Sequence, residues 1–167
     1  MPLRSRITTE GPDRAPHRAF YRAMGLSDED LAKPQVGIVH FKGDQTPCNM
    51  THGFQVDAAR LGIAAAGGVP REFAAPSVSD GISMNHEGMK YSLVSRELVA
   101  DTIEATVNGL AFDALLGFGG CDKTLPGVMM GMVRVNVPSV FIYGGSALPG
   151  RHAGRDLTAL DAYEAVG

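Results

Sequence analysis

The chain contains no tryptophan, only two cysteines among its 167 residues, and no long apolar run. No stretch approaches the roughly 18 apolar residues that a membrane-spanning helix needs. A net charge of −3, with no cluster of Lys and Arg, gives no electrostatic footprint for nucleic acid. Residues 1–16 lack the apolar segment of a secretory signal peptide and are too acidic for an organelle transit peptide. These absences predict a cytoplasmic protein that binds neither membranes nor nucleic acid.

The two cysteines, Cys48 and Cys121, do not form the closely spaced pair that structural zinc sites usually use. A structural disulfide is also unexpected in a reducing compartment. Taken alone, each cysteine is typical of a small buried apolar residue. Their placement among glycines and prolines, in TPCN and GGCDKTLPG, suggests a second hypothesis, namely a functional site.

Glycine and proline are abundant, with 21 and 10 residues that fall at the junctions between apolar runs. The apolar runs predict four strands, near residues 35–40, 72–78, 113–118 and 138–143. Helical spacing predicts helices that start after Ser27, span Phe54–Ala65 and Leu93–Leu110, and follow Pro126. This alternation predicts an α/β fold with a central, mostly parallel sheet flanked by helices, as one domain over residues 1–167.

The same spacing predicts which helix faces are buried. In the two longest helices we expect the apolar residues that recur every three to five positions to face the sheet. These are Phe54, Ala58, Leu61 and Ala65 in the first helix, and Leu93, Leu98, Ile103, Val107 and Leu110 in the second.

Four loops follow the predicted strands: DQTPCN around Cys48, SDGISMNHEG around Asp80, GGCDK around Cys121, and YGGSALPG. In open α/β sheets, ligands bind beyond the carboxyl ends of the strands. We therefore expect both cysteines and the acids Asp80 and Asp122 to lie on one edge of the sheet. Without such a site, Asp80 would belong to an ordinary Asp-Gly turn, and Asp122 would be an ordinary helix N-cap.

Three kinds of chemistry are compatible with these loops. The glycines after the third strand faintly match a dinucleotide loop, but Asp122 stands at the third glycine position and would repel a pyrophosphate. A Cys–His nucleophile pair would use His40, His52 or His86, although no spacing orients any of them toward a cysteine. A metal site would use thiolates for iron–sulfur or zinc and carboxylates for magnesium or manganese, and this hypothesis accounts for the most residues.

Several long segments carry a resemblance to a known family. TPCN (Thr46–Asn49), SVSDGISMNHEGMKYSLVSRE (Ser77–Glu97), GGCDKTLPG (Gly119–Gly127) and the ending LTALDAYEAVG closely resemble the dihydroxy-acid dehydratase branch of the dihydroxy-acid/phosphogluconate dehydratase family. LRSRITTEG near the start is similar to that family as well. The resemblance runs over essentially the whole chain. It implies a three-layer, Rossmann-like N-terminal domain of a longer dehydratase.

The resemblance implies roles for five residues. Cys48 and Cys121 match two of the three cysteines that hold the family's iron–sulfur cluster, and the TPCN form looks like the 2Fe-2S members more than the 4Fe-4S members. Asp80 and Asp122 match the carboxylates on a catalytic Mg²⁺. Lys123 matches a lysine that becomes carbamylated and binds the same metal. Carbamylation requires the neutral amine, which a partly desolvated lysine can supply.

The implied activity is that of a hydro-lyase, which removes water from a 2,3-dihydroxy acid and gives a 2-keto acid. An iron with an open position would act as a Lewis acid on the 3-hydroxyl, and Mg²⁺ would stabilise the charge that develops when C2 loses its proton. The favoured substrate is the branched dihydroxy acid of valine and isoleucine synthesis, and the alternative is a sugar acid (aldonate). The family also implies a homodimer of the full-length enzyme.

The resemblance covers only the N-terminal portion of that family. The third cysteine, a further carboxylate ligand and the serine thought to act as base belong to regions beyond this chain. The 167-residue chain is therefore expected to be inactive alone, possessing no catalytic base, or to serve only as a truncated scaffold. Asn85 stands where the family pattern has a glycine, and HFKGDQ before TPCN is unusual, which leaves the choice between the two acids open.

Overall fold

A four-stranded parallel sheet forms the centre of the structure, a computed structural model that describes residues 2–167. Its strands are β1 (Gln35–His40), β2 (Val69–Ala74), β3 (Ala114–Gly119) and β4 (Ser139–Tyr143). They lie in the order β2-β1-β3-β4, and all three neighbouring pairs are parallel. The predicted α/β fold with a parallel sheet is confirmed.

In the described part of the chain, residues 2–167, eight helices accompany the sheet. They are α1 (Arg6–Thr9), α2 (Ala15–Ala23), α3 (Asp28–Leu31), α4 (His52–Ala65), α5 (Asp80–Ser83), α6 (Ser92–Gly109), α7 (Thr124–Val135) and α8 (Ala159–Val166). Short 3₁₀ turns occupy Pro12–Arg14, Pro47–Asn49 and Glu87–Tyr91. A small antiparallel hairpin, β5 (Gly150–His152) and β6 (Arg155–Leu157), was not predicted. In the described part of the chain, no helix is both long and apolar enough to cross a membrane.

Three of the four predicted strands agree with the structure to within a residue at each end. The second was predicted at residues 72–78 but spans Val69–Ala74. The last bond of the ladder runs from the N–H of Ala75 to the carbonyl of His40, at 3.0 Å. The next residue, Pro76, has no N–H to donate, so the ladder ends and the chain continues as a loop toward Asp80.

The buried face of α6 differs from the predicted one. Leu93, Leu98 and Leu110 are about half exposed. The buried positions are Ser92, Ser95, Val99, Ala100, Ile103 and Val107. Helix α7 turns Gly127 and Gly131 toward this face, and a Cβ added to Gly131 would lie 2.8 Å from the Cβ of Ile103. Such close approach favours small and β-branched residues, so the prediction is right for Ile103 and Val107 and wrong for the three leucines.

The predicted face of α4 is wrong at all four positions. Phe54, Ala58, Leu61 and Ala65 are all exposed. The buried residues are His52 and Val56, with Val56 packing against Ile38 and Phe118 of the sheet. The ring of His52 lies between Phe118 and Phe41, with centroids 5.8 and 6.1 Å away. The buried face of α4 is therefore determined in part by a histidine, which a search for apolar residues alone does not count.

Candidate functional site

The turn between β3 and α7 carries three of the predicted site residues in succession: Cys121, Asp122 and Lys123. The hydroxyl of Thr124, the first residue of α7, fixes this turn. Its oxygen accepts hydrogen bonds from the backbone N–H groups of Gly120 at 3.2 Å and Cys121 at 2.9 Å, and it donates to the carbonyl of Cys121 at 3.1 Å. Asp122 is not the N-cap of α7, because Lys123 occupies that position.

Asp80, the first residue of α5, meets the same turn. Lys123 Nζ donates to Asp80 Oδ2 at 2.5 Å and to Asp122 Oδ2 at 2.8 Å. The side chains of Lys123 and Asp80 are only 21% and 23% exposed, so this ion pair is largely withdrawn from water. Tyr163 of α8 holds the Asp80 loop by donating its hydroxyl to the carbonyl of Gly81 at 3.1 Å. The structure thus brings Asp80, Asp122 and Lys123 together on the carboxyl edge of the sheet.

The two carboxyl groups are electrostatically different. Burial is the largest influence on Asp80 and raises its pKa, and the neighbouring Asp122 adds to this effect. Burial acts on Asp122 in the same direction, but hydrogen bonds with Asp80, Lys123 and Cys121 outweigh it and lower the pKa of Asp122 to about 2. Hydrogen bonds to Asp122 and Asp80 raise the pKa of Lys123. The lysine is therefore held as an ammonium, contrary to the expectation that desolvation would favour its neutral form.

The loop that carries Cys48 packs backbone to backbone against the other site loops. Cys48 lies in the 3₁₀ turn Pro47–Asn49. A Cβ added to Gly120 would lie 2.9 Å from the Cys48 carbonyl oxygen and 2.5 Å from that of Gly145, and a Cβ on Gly145 would also lie 2.9 Å from the Cys48 oxygen. The hydroxyl of Thr51 adds a hydrogen bond of 2.7 Å to a carbonyl in the loop after β4. Only glycine allows these three loops to lie so close together.

Both cysteines are reduced and lie on the same edge of the sheet, Cys121 buried and Cys48 half-buried. Burial, together with the charges of Asp122 and Cys48, raises the pKa of Cys121 to about 11. Its sulfur lies 3.2 Å from Asp122 Oδ1 and 4.0 Å from the hydroxyl oxygen of the buried Thr46. The Cys121 thiol therefore lies directly beside the Asp122 carboxylate.

A cavity of about 380 Å³ opens beside Asp80. Its wall combines the apolar side chains of Val78, Ile82 and Tyr91 with the hydroxyls of several serines and with Gln45. The Oγ of Ser77 in this wall is buried, and within residues 2–167 it has no hydrogen-bond partner. This cavity therefore offers both apolar contacts and hydroxyl groups to a small ligand.

Within residues 2–167, none of the three candidate histidines forms a hydrogen bond with a cysteine. His52 Nδ1 accepts the N–H of Phe41 at 3.2 Å, and burial lowers the pKa of His52 to about 4. His40 binds Glu72 at 3.0 Å and accepts the N–H of Lys42 at 3.1 Å. His86 uses both ring nitrogens on backbone groups of its own loop. A Cys–His hydrolase, considered above as an alternative, is not supported.

Buried polar atoms without partners accompany the predicted metal-binding residues. Among the described residues, Asp80 Oδ1 and both side-chain amide atoms of Asn49, the neighbour of Cys48, are buried and have no hydrogen-bond partner. Buried polar groups nearly always have a partner, so these atoms suit a bound group. Within residues 2–167, however, no three His, Cys, Asp or Glu side chains converge as a ready metal-binding group. The ammonium of Lys123 lies against both carboxylates, and the residues fit a cation once that ammonium is replaced.

Sequence reasoning missed the residues that hold the site loops in place. Thr46, Thr51 and Thr124 act through backbone and sulfur contacts that no spacing reveals. The departure at Asn85 has a structural explanation, because this residue has a φ of 61°. Asn is among the few non-glycine residues that adopt this left-handed conformation readily, so the backbone of the loop is kept without the glycine.

The fold and the site define an α/β protein with thiols, carboxylates and a lysine gathered at the carboxyl edge of a parallel sheet. Comparison with known sequences identifies the family. Residues 33–167 match the family described as dihydroxy-acid/6-phosphogluconate dehydratase, N-terminal. The chain belongs to this family.

Curated relatives cover almost the whole chain. Dihydroxy-acid dehydratase 3 of Bradyrhizobium diazoefficiens is 77% identical over 165 residues, which are 99% of this chain and 28% of the relative. Dihydroxy-acid dehydratase of Pelagibacter ubique is 56% identical over 99% of this chain and 29% of the relative. Dihydroxy-acid dehydratase 2 of Bordetella bronchiseptica is 58% identical over 98% of this chain and 29% of the relative. The chain thus spans less than a third of the length of these relatives.

Proposed function

We propose that this chain is the N-terminal part of a hydro-lyase that converts a branched 2,3-dihydroxy acid to a 2-keto acid. The observation that carries the proposal is the convergence of Asp80, Asp122 and Lys123 beside the two thiols on one sheet edge. The names of the relatives, all dihydroxy-acid dehydratases, support the same substrate class. The apolar side chains of Val78 and Ile82 in the cavity beside Asp80 favour a branched carbon chain over a sugar acid.

The proposed Mg²⁺ would be held by Asp80, Asp122 and a carbamate on Lys123. Charge balance supports this exchange. Two carboxylates and one ammonium carry a net charge of −1, and two carboxylates, one carbamate and one Mg²⁺ carry the same charge. The buried, unpartnered Oδ1 of Asp80 would gain a partner. The site could therefore change from its ammonium form to its metal form without a change in net buried charge.

The proposed iron–sulfur cluster, 2Fe-2S rather than 4Fe-4S, would be held in part by Cys48 and Cys121. The bound groups would supply Lewis-acid activation of the leaving hydroxyl and stabilisation of the developing negative charge. This chain's own contribution would be two thiols from interlocked loops and two carboxylates, of which Asp122 lies in the same turn as Cys121. Because it has only these two cysteines, a third cluster ligand must come from elsewhere in the enzyme. We propose that the 167-residue chain does not turn over substrate alone, and that the complete enzyme is a homodimer.

The substrate is tested with a complete enzyme, made by joining this chain to the remainder of the Bradyrhizobium dihydroxy-acid dehydratase 3. The reconstituted fusion is expected to release a keto acid from a branched 2,3-dihydroxy acid and to be far slower with gluconate. Preference for gluconate would favour a sugar-acid dehydratase instead.

The 167-residue chain, treated anaerobically with iron and sulfide, is expected to bind less than a full cluster and to release no keto acid. Full cluster uptake with steady turnover would contradict its proposed inactivity.

The role of Lys123 is tested in the same fusion. Lys123→Arg cannot form the carbamate, so it is expected to abolish turnover while the visible absorption of the cluster remains. The matched control is Lys33→Arg, because Lys33 also pairs with two acids, at 3.0 Å to Glu29 and 3.3 Å to Asp30, on a distant helix. The control is expected to keep full activity. Activity of Lys123→Arg near that of the control would show that the proposed metal role of Lys123 is wrong.

A further inference from the structure

A second cavity, of about 350 Å³, lies at the opposite end of the sheet from the candidate site. Helix α2 and the end of α6 form its walls, and Arg71 of β2 is its charged residue. The lining residues are Thr8, His17, Phe20, Tyr21, Met24, Arg71, Gly109 and Leu110. Arg71 contacts Gln35, the first residue of β1, whereas the candidate site lies beyond the last residue of that strand. The six residues of β1 span roughly 17 Å, which separates the second cavity from the candidate site.

The guanidinium of Arg71 is fixed by aromatic rings. Its central carbon lies 5.2 Å from the ring centroid of Tyr21 and 5.9 Å from that of Phe112. The negative faces of both rings attract the cation, and this attraction uses none of the guanidinium N–H groups, which remain able to bind an acceptor. The cation is thus held in place before any ligand binds.

The hydrogen-bonding capacity of Arg71 is largely unused. A guanidinium has five N–H donors. Within residues 2–167, its guanidinium donates only to the Gln35 side-chain oxygen at 3.3 Å and to the sulfur of Met24 at 3.7 Å, both uncharged. Asp113, an acid at the same end of the sheet, instead accepts the backbone N–H groups of Ser5 at 3.0 Å and Gln35 at 2.8 Å.

The remaining surface of the cavity is apolar or neutral. Phe20, Met24 and Leu110 are exposed apolar residues at its rim, and none of the described residues that line it is Asp or Glu. The hydroxyl of Tyr21 lies 3.0 Å from that of Thr8, which donates to a backbone carbonyl, so Tyr21 is the donor of that pair. A half-buried cation without a carboxylate partner, at the base of an apolar pocket, is complementary to a small acid with an apolar tail.

We propose that this cavity binds a small aliphatic monocarboxylate, with the carboxylate on Arg71 and the apolar tail against Phe20, Met24 and Leu110. The site is separate from the edge that carries Cys121 and Asp122. It goes beyond the proposed dehydratase function and does not depend on it.

The test uses the 167-residue chain and two probes of equal shape, isocaproate and the neutral isocaproamide. Calorimetric titration of the acid is expected to show saturable binding, and the amide is expected to bind at least about tenfold more weakly. In amide-resolved NMR spectra the acid is expected to shift the signals of Tyr21, Arg71 and Leu110 and to leave those of Cys121 and Asp122 unchanged. Equal binding of acid and amide, or no binding of either, would overturn the proposal.

Variants locate the site independently. Arg71→Gln is expected to weaken binding of isocaproate about tenfold or more, and Arg151→Gln, which removes the same charge from the exposed hairpin, is expected to have no effect. Phe20→Ser keeps Arg71 and alters a side chain that is 74% exposed, so the fold is retained while the apolar wall is lost. It should weaken acid and amide alike. Unchanged affinity in both Arg71→Gln and Phe20→Ser would place any observed binding elsewhere and refute the site.

Discussion

Replacement of Gly127 by alanine tests whether close contact between α6 and α7 stabilises the fold. A Cβ at this position would lie 2.8 Å from Val99 Cβ, 2.9 Å from Val99 Cγ1 and 2.9 Å from the backbone carbonyl oxygen of Arg96. Neither a Cβ nor a backbone oxygen can rotate away, so the two helices must move apart. The site turn precedes Gly127 directly, since its N–H binds the carbonyl of Lys123 at 3.1 Å.

Two opposing effects set the magnitude. Alanine is favoured over glycine inside a helix by about 1 kcal/mol. Overpacking of a filled core costs about 1–3 kcal/mol, and a clash with backbone belongs at the upper end of that range. Gly127→Ala is therefore expected to lower the free energy of unfolding by about 2 kcal/mol, which for a chain of this size lowers Tm by about 4–8 °C.

The matched control is Gly62→Ala in α4, where an added Cβ meets nothing within 4 Å. This variant keeps the helix-propensity gain without the clash, so it is expected to raise the free energy of unfolding by up to about 1 kcal/mol. Urea denaturation of the 167-residue chain, followed by far-UV circular dichroism, measures both values. A Gly127→Ala chain as stable as the Gly62→Ala chain would refute the reasoning about the α6–α7 contact.

Two further predictions concern one buried and one half-buried polar residue. His52 is fully buried, and burial lowers its pKa from the ordinary value of 6.5 to about 4. As the pH falls, the unfolded chain therefore binds a proton at this histidine before the folded chain does. The stabilisation is fully present above about pH 6.5, and about 3 kcal/mol of the free energy of unfolding is lost as the pH falls to about 4. His52→Gln should flatten this part of the pH profile measured by urea denaturation. Asp113→Ala leaves the N–H groups of Ser5 and Gln35 without their acceptor, so it should lower the free energy of unfolding by about 2 kcal/mol.

Exposed residues of the same types provide the controls. His17→Gln should leave the acid side of the pH profile unchanged, and Asp13→Ala should change stability by less than about 0.5 kcal/mol, because both side chains lie at exposed positions of the N-terminal region. An unchanged pH profile in His52→Gln would show that the buried ring does not cause the acid destabilisation. A loss in Asp113→Ala no larger than that in Asp13→Ala would argue against the capping role of Asp113.

The sheet and the placement of the candidate loops at one of its edges could be predicted from sequence, because both depend on order along the chain. Parallel strands with helical crossovers must place the loops of Cys48, Asp80 and Cys121 at one edge, whatever the side-chain details. The resemblance of the motifs then suggested what those residues bind, and the metal roles stay predictions.

The buried faces of the helices could not be predicted in the same way. The phase of α4 depends on His52, which is buried between two phenylalanines although histidine is not counted as apolar. The buried face of α6 depends on Gly127 and Gly131 of a different helix, which admit Val99 and Ile103 but not leucines. In the same way, the protonation state of Lys123 depends on the carboxylates of Asp80 and Asp122, which come close to it only in the folded chain. Its raised pKa could therefore not be predicted from the sequence.

The interlocked loops around Gly120, Gly145 and the Cys48 carbonyl have a kinetic consequence. Contacts made by side chains can loosen one rotamer at a time, but contacts between backbones are broken only when a whole loop moves. The Cys48 loop should therefore open as one cooperative unit. A thiol reagent would then reach the half-buried Cys48 after a smaller movement than the buried Cys121 requires, so that the two cysteines report separately on local and deeper unfolding of the same sheet edge.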